Sequence, residues 1–274
     1  MKSIMNYLEA VAILMVMMYV AIAEAEAGGR QEEEIKPNQY MCRGGDIKSV
    51  KIRDSALNQL MESFKKSSKF NGFYHTQAAA GNKSEEVVSA HFLCPPNIHL
   101  DYCTCCVKNT ITILRKKCTK HNEGVAWDSY PYIDCMVRYT TGRKILSVLD
   151  DWAWHRIPDV NYVKTLNLQK TLDSMTGKLT EKAAGGDGVK KFAGDKVNYD
   201  GNEHVLYVSA QCTPDISKQD CIKCLTKATV EMRNCCSSKP LFGGSVLSTN
   251  CCLRYWHIDL FNPPAVEIDK DLCG

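Results

Sequence analysis

The sequence predicts two tandem α+β domains held by disulfide bonds. The spacing C-x8-C-x2-C begins at Cys94 and returns 118 residues later at Cys212, and Cys118 maps onto Cys236 by the same offset. Each copy contains segments with helical apolar periodicity and short apolar runs bounded by turn residues, which are typical of helices and strands respectively. A chain of 274 residues has room for two such domains.

The first 27 residues have the pattern of a secretion signal. Lys2 precedes an apolar run over 10–23, and the segment Ala23–Ala27 offers two small-x-small cleavage sites. The run of about 14 residues is shorter than the roughly 20 that span a bilayer, so secretion is favoured over an uncleaved membrane anchor. We therefore expect an extracellular protein without a membrane anchor.

Secretion decides how the fifteen cysteines are interpreted. In an oxidising compartment they are expected to form disulfides rather than to hold metal. The C-x2-C pairs that begin at Cys103 and Cys221 offer a zinc site as the alternative, but each lies in its own repeat with its own upstream cysteine. We expect no metal and no cofactor. Because the number is odd, at least one thiol is free or bonds another chain, which makes a homodimer a candidate state.

Two helices are expected in each repeat. In the first repeat, Asp54 is the expected cap of a helix that runs to about Lys69, and Asp101 caps one that ends near Lys117. In the second repeat, the first helix is marked by apolar residues from Leu168 to Leu179 and ends at 185–188, and the second starts at Ser217 or Asp220. Residues i and i+3 of a helix point the same way, so both cysteines of each C-x2-C pair can face a sheet.

Strands and domain limits follow from the remaining apolar runs and turn signals. We expect strands at 87–93, 125–127, 133–139, 204–211, 243–247 and 251–255. We expect a signal peptide at 1–27, an N-terminal arm at 28–41, a first domain at 42–145, a linker at 146–161, a second domain at 162–262 and a C-terminal tail at 263–274. Trp152 and Trp154 in the linker are expected to pack at an interface, and Asn82 is the candidate glycosylation site.

Charge and motifs exclude several functional classes. The 34 basic and 31 acidic residues give a net charge of only +3, so we expect no nucleic-acid partner. The seven histidines are scattered, and neither G-x-S-x-G nor H-E-x-x-H occurs. We therefore expect no catalytic residues and a protein that acts by binding.

The cysteine pattern resembles a known plant domain. C-x8-C-x2-C followed by a helix, another cysteine and C-x2-R-Y is similar to the ginkbilobin-type domain, also called the stress-antifungal or cysteine-rich secretory repeat domain. The first copy ends in Cys135-Met136-Val137-Arg138-Tyr139, and the second ends in Cys251-Cys252-Leu253-Arg254-Tyr255. Together the copies cover about residues 40–262, so the chain resembles a plant cysteine-rich repeat secretory protein with two such domains.

The resemblance implies an antiparallel sheet packed against two helices, with three disulfides, in each domain. The implied pairs are Cys42–Cys118, Cys94–Cys103, Cys106–Cys135, Cys212–Cys221 and Cys224–Cys251. The second copy lacks a counterpart of Cys42, so Cys273 is the expected partner of Cys236, with Cys252 and Cys235 as alternatives. The role of Cys105 stays open.

The resemblance also implies a function. The family's single-domain lectin binds mannose through an asparagine, an arginine and a glutamate. These positions carry other residues here: Arg43, Ala126 and Thr140 in the first copy, and Ser245 and Trp256 in the second. We expect weak or no mannose binding. The implied role is defence in the apoplast through binding, with cell-wall carbohydrate as the candidate ligand, or else an extracellular protein or receptor as the partner.

Overall fold

The computed structural model describes residues 40–66, 71–79, 87–129, 134–150, 152–158, 161, 167–186, 190–237 and 241–258. The expected signal peptide, Asn82 and Cys273 lie outside these residues.

Each repeat consists of two helices and five strands. The helices are α1 (Val50–Lys66), α2 (Leu100–Lys117), α3 (Leu168–Ala184) and α4 (Lys218–Met232), the last of which continues into a π-helical turn at Arg233–Ser237. The strands are β1 (Tyr40–Asp46), β2 (Phe73–Ala78), β3 (Val88–Leu93), β4 (His121–Ser129), β5 (Asp134–Thr141), β6 (Trp154–Pro158), β7 (Lys191–Tyr199), β8 (His204–Cys212), β9 (Gly243–Ser248) and β10 (Cys251–Trp256).

The two repeats have the same sheet topology. The first sheet has the order β1-β4-β5-β3-β2 and the second the order β6-β9-β10-β8-β7, and all neighbouring strands are antiparallel. The predicted fold class, two tandem α+β domains each with an antiparallel sheet on two helices, is confirmed. Strand β6 lies within the segment expected to be a linker, yet it pairs with β9, so the second sheet begins earlier than the sequence indicated.

Each sheet packs one face against its two helices. In β3, Ala90 and Phe92 belong to the core under α1 and α2, whereas His91 and Leu93 alternate to the opposite face. That opposite face is also buried, and it positions the candidate site described below.

The helix starts follow from local capping. Helix α1 begins at Val50, where the Ser49 hydroxyl accepts a hydrogen bond from the Ile52 amide at 3.3 Å. The expected cap Asp54 instead lies in the second turn and pairs with Arg53 at 3.0 Å. Helix α4 begins after Ser217, as one of the two predicted alternatives requires.

Thirteen of the fourteen described cysteines are disulfide-bonded, and Cys252 is free. The structure contains the pairs Cys42–Cys118, Cys94–Cys103, Cys106–Cys135, Cys212–Cys221 and Cys224–Cys251. Cys105 is also bonded, to a partner outside the described residues.

The expectation for Cys236 is corrected. It bonds its neighbour Cys235 rather than Cys273. The first strand of the second sheet, β6, carries no counterpart of Cys42, so the cysteine at the end of α4 has no cross-strand partner. The two cysteines are consecutive in the chain and lie within the π-helical turn.

Candidate functional site at the seam between the two sheets

The two sheets pack back to back through the faces that their helices do not cover, and we call this buried interface the seam. Its apolar part consists of Leu93, Val125, Trp127, Met136, Ala153, Leu247 and Cys252. A cavity of about 10 Å³ lies among these side chains, which is room for roughly one water molecule. This part of the seam is therefore closed to a sugar ring.

Hydrogen bonds across the seam fix the register of the two repeats. The Gln211 amide donates to the Cys94 carbonyl at 2.8 Å, and the Trp127 indole donates to the Ser248 carbonyl at 3.4 Å. Gln211 is 5% exposed and Trp127 fully buried, so both donors have exchanged water for a partner in the other repeat.

The arginines of the two C-x2-R-Y motifs both reach the seam. Arg254, which is 4% exposed, lies 3.7 Å from the carboxylate of Asp134, a residue of the first repeat. The Ser245 hydroxyl also donates to Asp134, at 2.7 Å. A buried carboxylate of one repeat thus balances a buried guanidinium of the other.

The equivalent arginine, Arg138, is the centre of a charged cluster at the edge of the seam. Its side chain is fully buried and donates to Glu123 at 2.7 Å and to Asp150. Arg43 and Arg143 also donate to both carboxylates. We call these five residues the arginine cluster. It carries three positive and two negative charges.

Burial and pairing have opposite effects on the two acids of the cluster. Burial disfavours ionisation of Glu123, but hydrogen bonds from Arg43, Arg138 and Arg143 outweigh it and hold the pKa of Glu123 below its ordinary value. The pKa of Asp150 is also lowered, because hydrogen bonds from Arg143 and Arg138 overcome the effect of burial. Both acids are therefore ionised at neutral pH.

The arginine cluster ties the connection between the repeats to the second repeat. The Asp150 amide donates to the Asn250 side chain at 2.9 Å, and the Thr249 hydroxyl donates to the Asp150 carbonyl. Trp152 packs against the Arg43 guanidinium, 4.3 Å from ring centroid to Cζ. Trp152 therefore has the packing role that the sequence suggested, although it stacks on an arginine.

His91 lies next to Arg138 on the seam face of the first sheet. It is fully buried, and neither ring nitrogen has a hydrogen-bond partner in the described part of the chain. Burial and the nearby Arg138 lower its pKa to about 4, against the opposing effect of Asp215. The imidazole is therefore neutral at neutral pH.

Four of the five substituted sugar positions are buried in the structure. Ala126, Thr140 and Ser245 are at most 1% exposed, and the Ser245 hydroxyl already donates a hydrogen bond to Asp134. Trp256 is 7% exposed and packs over Gly243, where a Cβ would lie 2.1 Å from the indole. Only Arg43 keeps substantial exposure, and its guanidinium is held by the arginine cluster.

Cys252 is the one free thiol among the described cysteines, and it lies inside the seam. Burial raises the pKa of this thiol to about 12, despite the opposing charge of Arg254. A protonated, enclosed thiol is inert, so the structure gives no support to a disulfide-linked homodimer through Cys252.

The sequence carried one signal for the seam that its interpretation missed. The arginine of C-x2-R-Y recurs in both copies, at Arg138 and Arg254, and no role was predicted for it. Two further observations concern the described residues. They hold no group of three or more His, Cys, Asp or Glu side chains that could bind a metal ion. Their helices include none that is long and apolar enough to cross a membrane.

A known protein family matches each of the two repeats. Residues 41–142 and 158–257 match the family profile described as salt stress response/antifungal. Cysteine-rich repeat secretory protein 1 of Arabidopsis thaliana is 29% identical over 79% of this chain, and the match spans 61% of that protein. Cysteine-rich repeat secretory protein 59 of the same plant is 26% identical over 73% of this chain and 67% of that protein. Cysteine-rich receptor-like protein kinase 29 is 28% identical over 77% of this chain, but only 31% of the kinase is matched.

Two solved structures share the arrangement. They are the tandem DUF26 ectodomains of the Arabidopsis thaliana cysteine-rich receptor-like proteins PDLP8 and PDLP5, with TM-scores of 0.60 and 0.56. Both are 18% identical to this chain and cover 80% of it, and the matches cover 96% and 97% of the two structures. At 18% identity, this similarity shows a shared fold and nothing beyond it.

Proposed function

The chain belongs to the salt stress response/antifungal family, with two copies of its domain, and from this premise we propose that it acts outside the plant cell by binding rather than by catalysis. Thirteen disulfide-bonded cysteines among the described residues suit an oxidising compartment. The predicted signal peptide and the secretory relatives support the same location, and we place the protein in the apoplast. The proposal includes a glycan at Asn82 in the first repeat.

The closed seam is the observation that carries this proposal. Four of the five positions that correspond to the family's mannose-binding groups are buried, and the cavity described in the seam has a volume of only about 10 Å³. A ligand is therefore expected to contact the outer surface of the two repeats. Because recognition on an outer surface needs no catalytic group, the protein is proposed to act as a defence-related binding protein.

Cell-wall carbohydrate is the proposed class of ligand, and an extracellular protein is the second candidate. The similarity of the fold to receptor-like ectodomains favours keeping the second candidate. The two candidates differ in what the protein should capture, so one experiment separates them.

The test is a glycan array on the disulfide-intact protein, alongside a pull-down from cell-wall extract. We expect retention of wall polysaccharide without enrichment of mannose-containing glycans. Capture of a stoichiometric protein partner with no glycan signal would favour the second candidate. Specific mannose binding, or cleavage of any glycan on the array, would overturn the proposal.

A further inference from the structure

The helices of the two repeats carry a net positive charge. Because the sheets pack back to back, all four helices lie on the outside. Together they contain fourteen Lys and Arg against seven Asp and Glu, a net charge of +7, whereas the whole chain has a net charge of only +3. The helical layers are thus the basic part of a nearly balanced chain.

Ion pairs remove several helix acids from this balance. Four of the seven acids are partly buried and paired with a neighbouring cation. These pairs are Asp54 with Arg53, Asp173 with Arg233, Asp220 with Lys223, and Glu231 with Arg156. The exposed acids on the helices are then Glu62, Asp101 and Glu181.

Among the described side chains of the four helices, the second repeat has more exposed lysines than the first. Helices α3 and α4 expose six lysines against the single exposed acid Glu181. Lys223 pairs with Asp220 and Lys227 lies over the Trp154 ring, so we call the other four, Lys170, Lys178, Lys182 and Lys218, the lysine face. In the first repeat, the described side chains of α1 and α2 expose three lysines, at 51, 116 and 117, against two acids.

Three lysines of the lysine face lie along α3. Lys170 and Lys182 are twelve residues apart on one helix, which corresponds to about 18 Å along its axis. Lys218 is the first residue of the neighbouring helix α4. Lysine ammonium groups are hydrated point charges on flexible stems, which suits a repeating anionic chain better than one small, rigid ligand.

We infer that the lysine face binds an acidic polysaccharide, whose carboxylates complement the row of ammonium groups. This inference rests on the proposed extracellular function and names the ligand class. A membrane surface is a less suitable ligand, because membrane binding needs exposed apolar side chains. Among the described residues, Val230 is the only exposed large hydrophobic residue on these two helices.

The test is a binding titration of the full chain with polygalacturonate, at low and at physiological salt, and with neutral mannan for comparison. We expect saturable binding of polygalacturonate that weakens as salt rises, since surface charges are screened. The variant K170Q/K178Q/K182Q should bind about tenfold more weakly. The matched control K51Q/K116Q/K117Q removes the same charge from the first repeat and should change affinity less than about twofold.

Each contrary outcome has a distinct meaning. Equal losses in the two triple variants would reduce the effect to net charge and overturn the lysine face. Equally tight binding of anionic lipid vesicles or of duplex DNA would overturn the assignment to a polysaccharide. Absence of polygalacturonate binding while a neutral wall glycan is retained would overturn this inference and leave the proposed function standing. If no wall glycan binds at all, both this inference and the carbohydrate candidate of the proposed function are overturned.

Discussion

Glu123 receives hydrogen bonds from three arginines of the arginine cluster, so the substitution Glu123→Gln tests how that cluster is held together. The side chain is 5% exposed, and its two oxygens contact Arg43, Arg138 and Arg143. Glutamine has nearly the same shape and keeps one acceptor. However, it loses the charge and turns an amide donor toward guanidinium donors.

The magnitude follows from what remains around Arg138. Removing one partner of a buried ion pair costs about 3–5 kcal/mol when the other charge is left alone. Here Asp150 still accepts from Arg138 and from Arg143, so neither guanidinium loses its last carboxylate. We therefore expect Glu123→Gln to lower the free energy of unfolding by about 2–3 kcal/mol at neutral pH.

The loss should depend on pH in a defined direction. The pKa of Glu123 is lower in the folded state than in the unfolded chain, so its contribution is complete above the unfolded pKa and is lost as pH falls through the folded pKa. The difference between wild type and Glu123→Gln should therefore shrink on acidification.

Denaturant unfolding with intact disulfides at several pH values measures this difference. Glu181→Gln, at an exposed helix position, is the matched control and should change stability by less than about 0.5 kcal/mol. A loss for Glu123→Gln no larger than that of the control, or one that stays constant into acid, would refute the role given to Glu123.

Two further predictions concern the cysteines. Cys252 should resist alkylation in the native protein, because it is buried with a pKa of about 12, and should react after denaturation without reductant. Rapid labelling of the native protein, measured by mass spectrometry, would show that the seam opens. Replacing Cys42 and Cys118 by serine should cost about 4–5 kcal/mol, because their bond spans 76 residues, whereas the same change at Cys235 and Cys236, which are adjacent, should cost about 1 kcal/mol. Equal shifts in the two denaturation curves would contradict the loop-length argument.

The sequence predicted the inner strands and missed the edge strands, for a physical reason. The six strands expected from apolar runs correspond to β3, β4, β5, β8, β9 and β10, which occupy the interior of the two sheets. The four that were missed, β1, β2, β6 and β7, are the sheet edges. Inner strands here are buried on both faces and read as apolar runs, whereas an edge strand such as β7 mixes Lys, Gly and Asp with its apolar residues.

The seam could not be derived from one sequence, because no local pattern says which sheet face meets which. Asp134 and Arg254 come from different repeats, 120 positions apart, and neither residue signals the other. The arginines at 138 and 254 were visible as repeated motif positions. Pairing of β4 with β5 sets Glu123 near Arg138, and the connection between the repeats brings Asp150 there. Only Asp134 meets its arginine, Arg254, through the packing of the two sheets.

The most direct measurement is a lysine footprint of the protein with and without polygalacturonate, by acetylation and mass spectrometry. Binding to an outer face, with the seam closed, predicts that Lys170, Lys178 and Lys182 lose reactivity when the polysaccharide is bound. Lys51 and Lys116 should be unaffected, and Cys252 should stay unlabelled throughout. Protection of the first-repeat lysines instead would contradict the lysine face, and new reactivity at Cys252 on binding would contradict the closed seam.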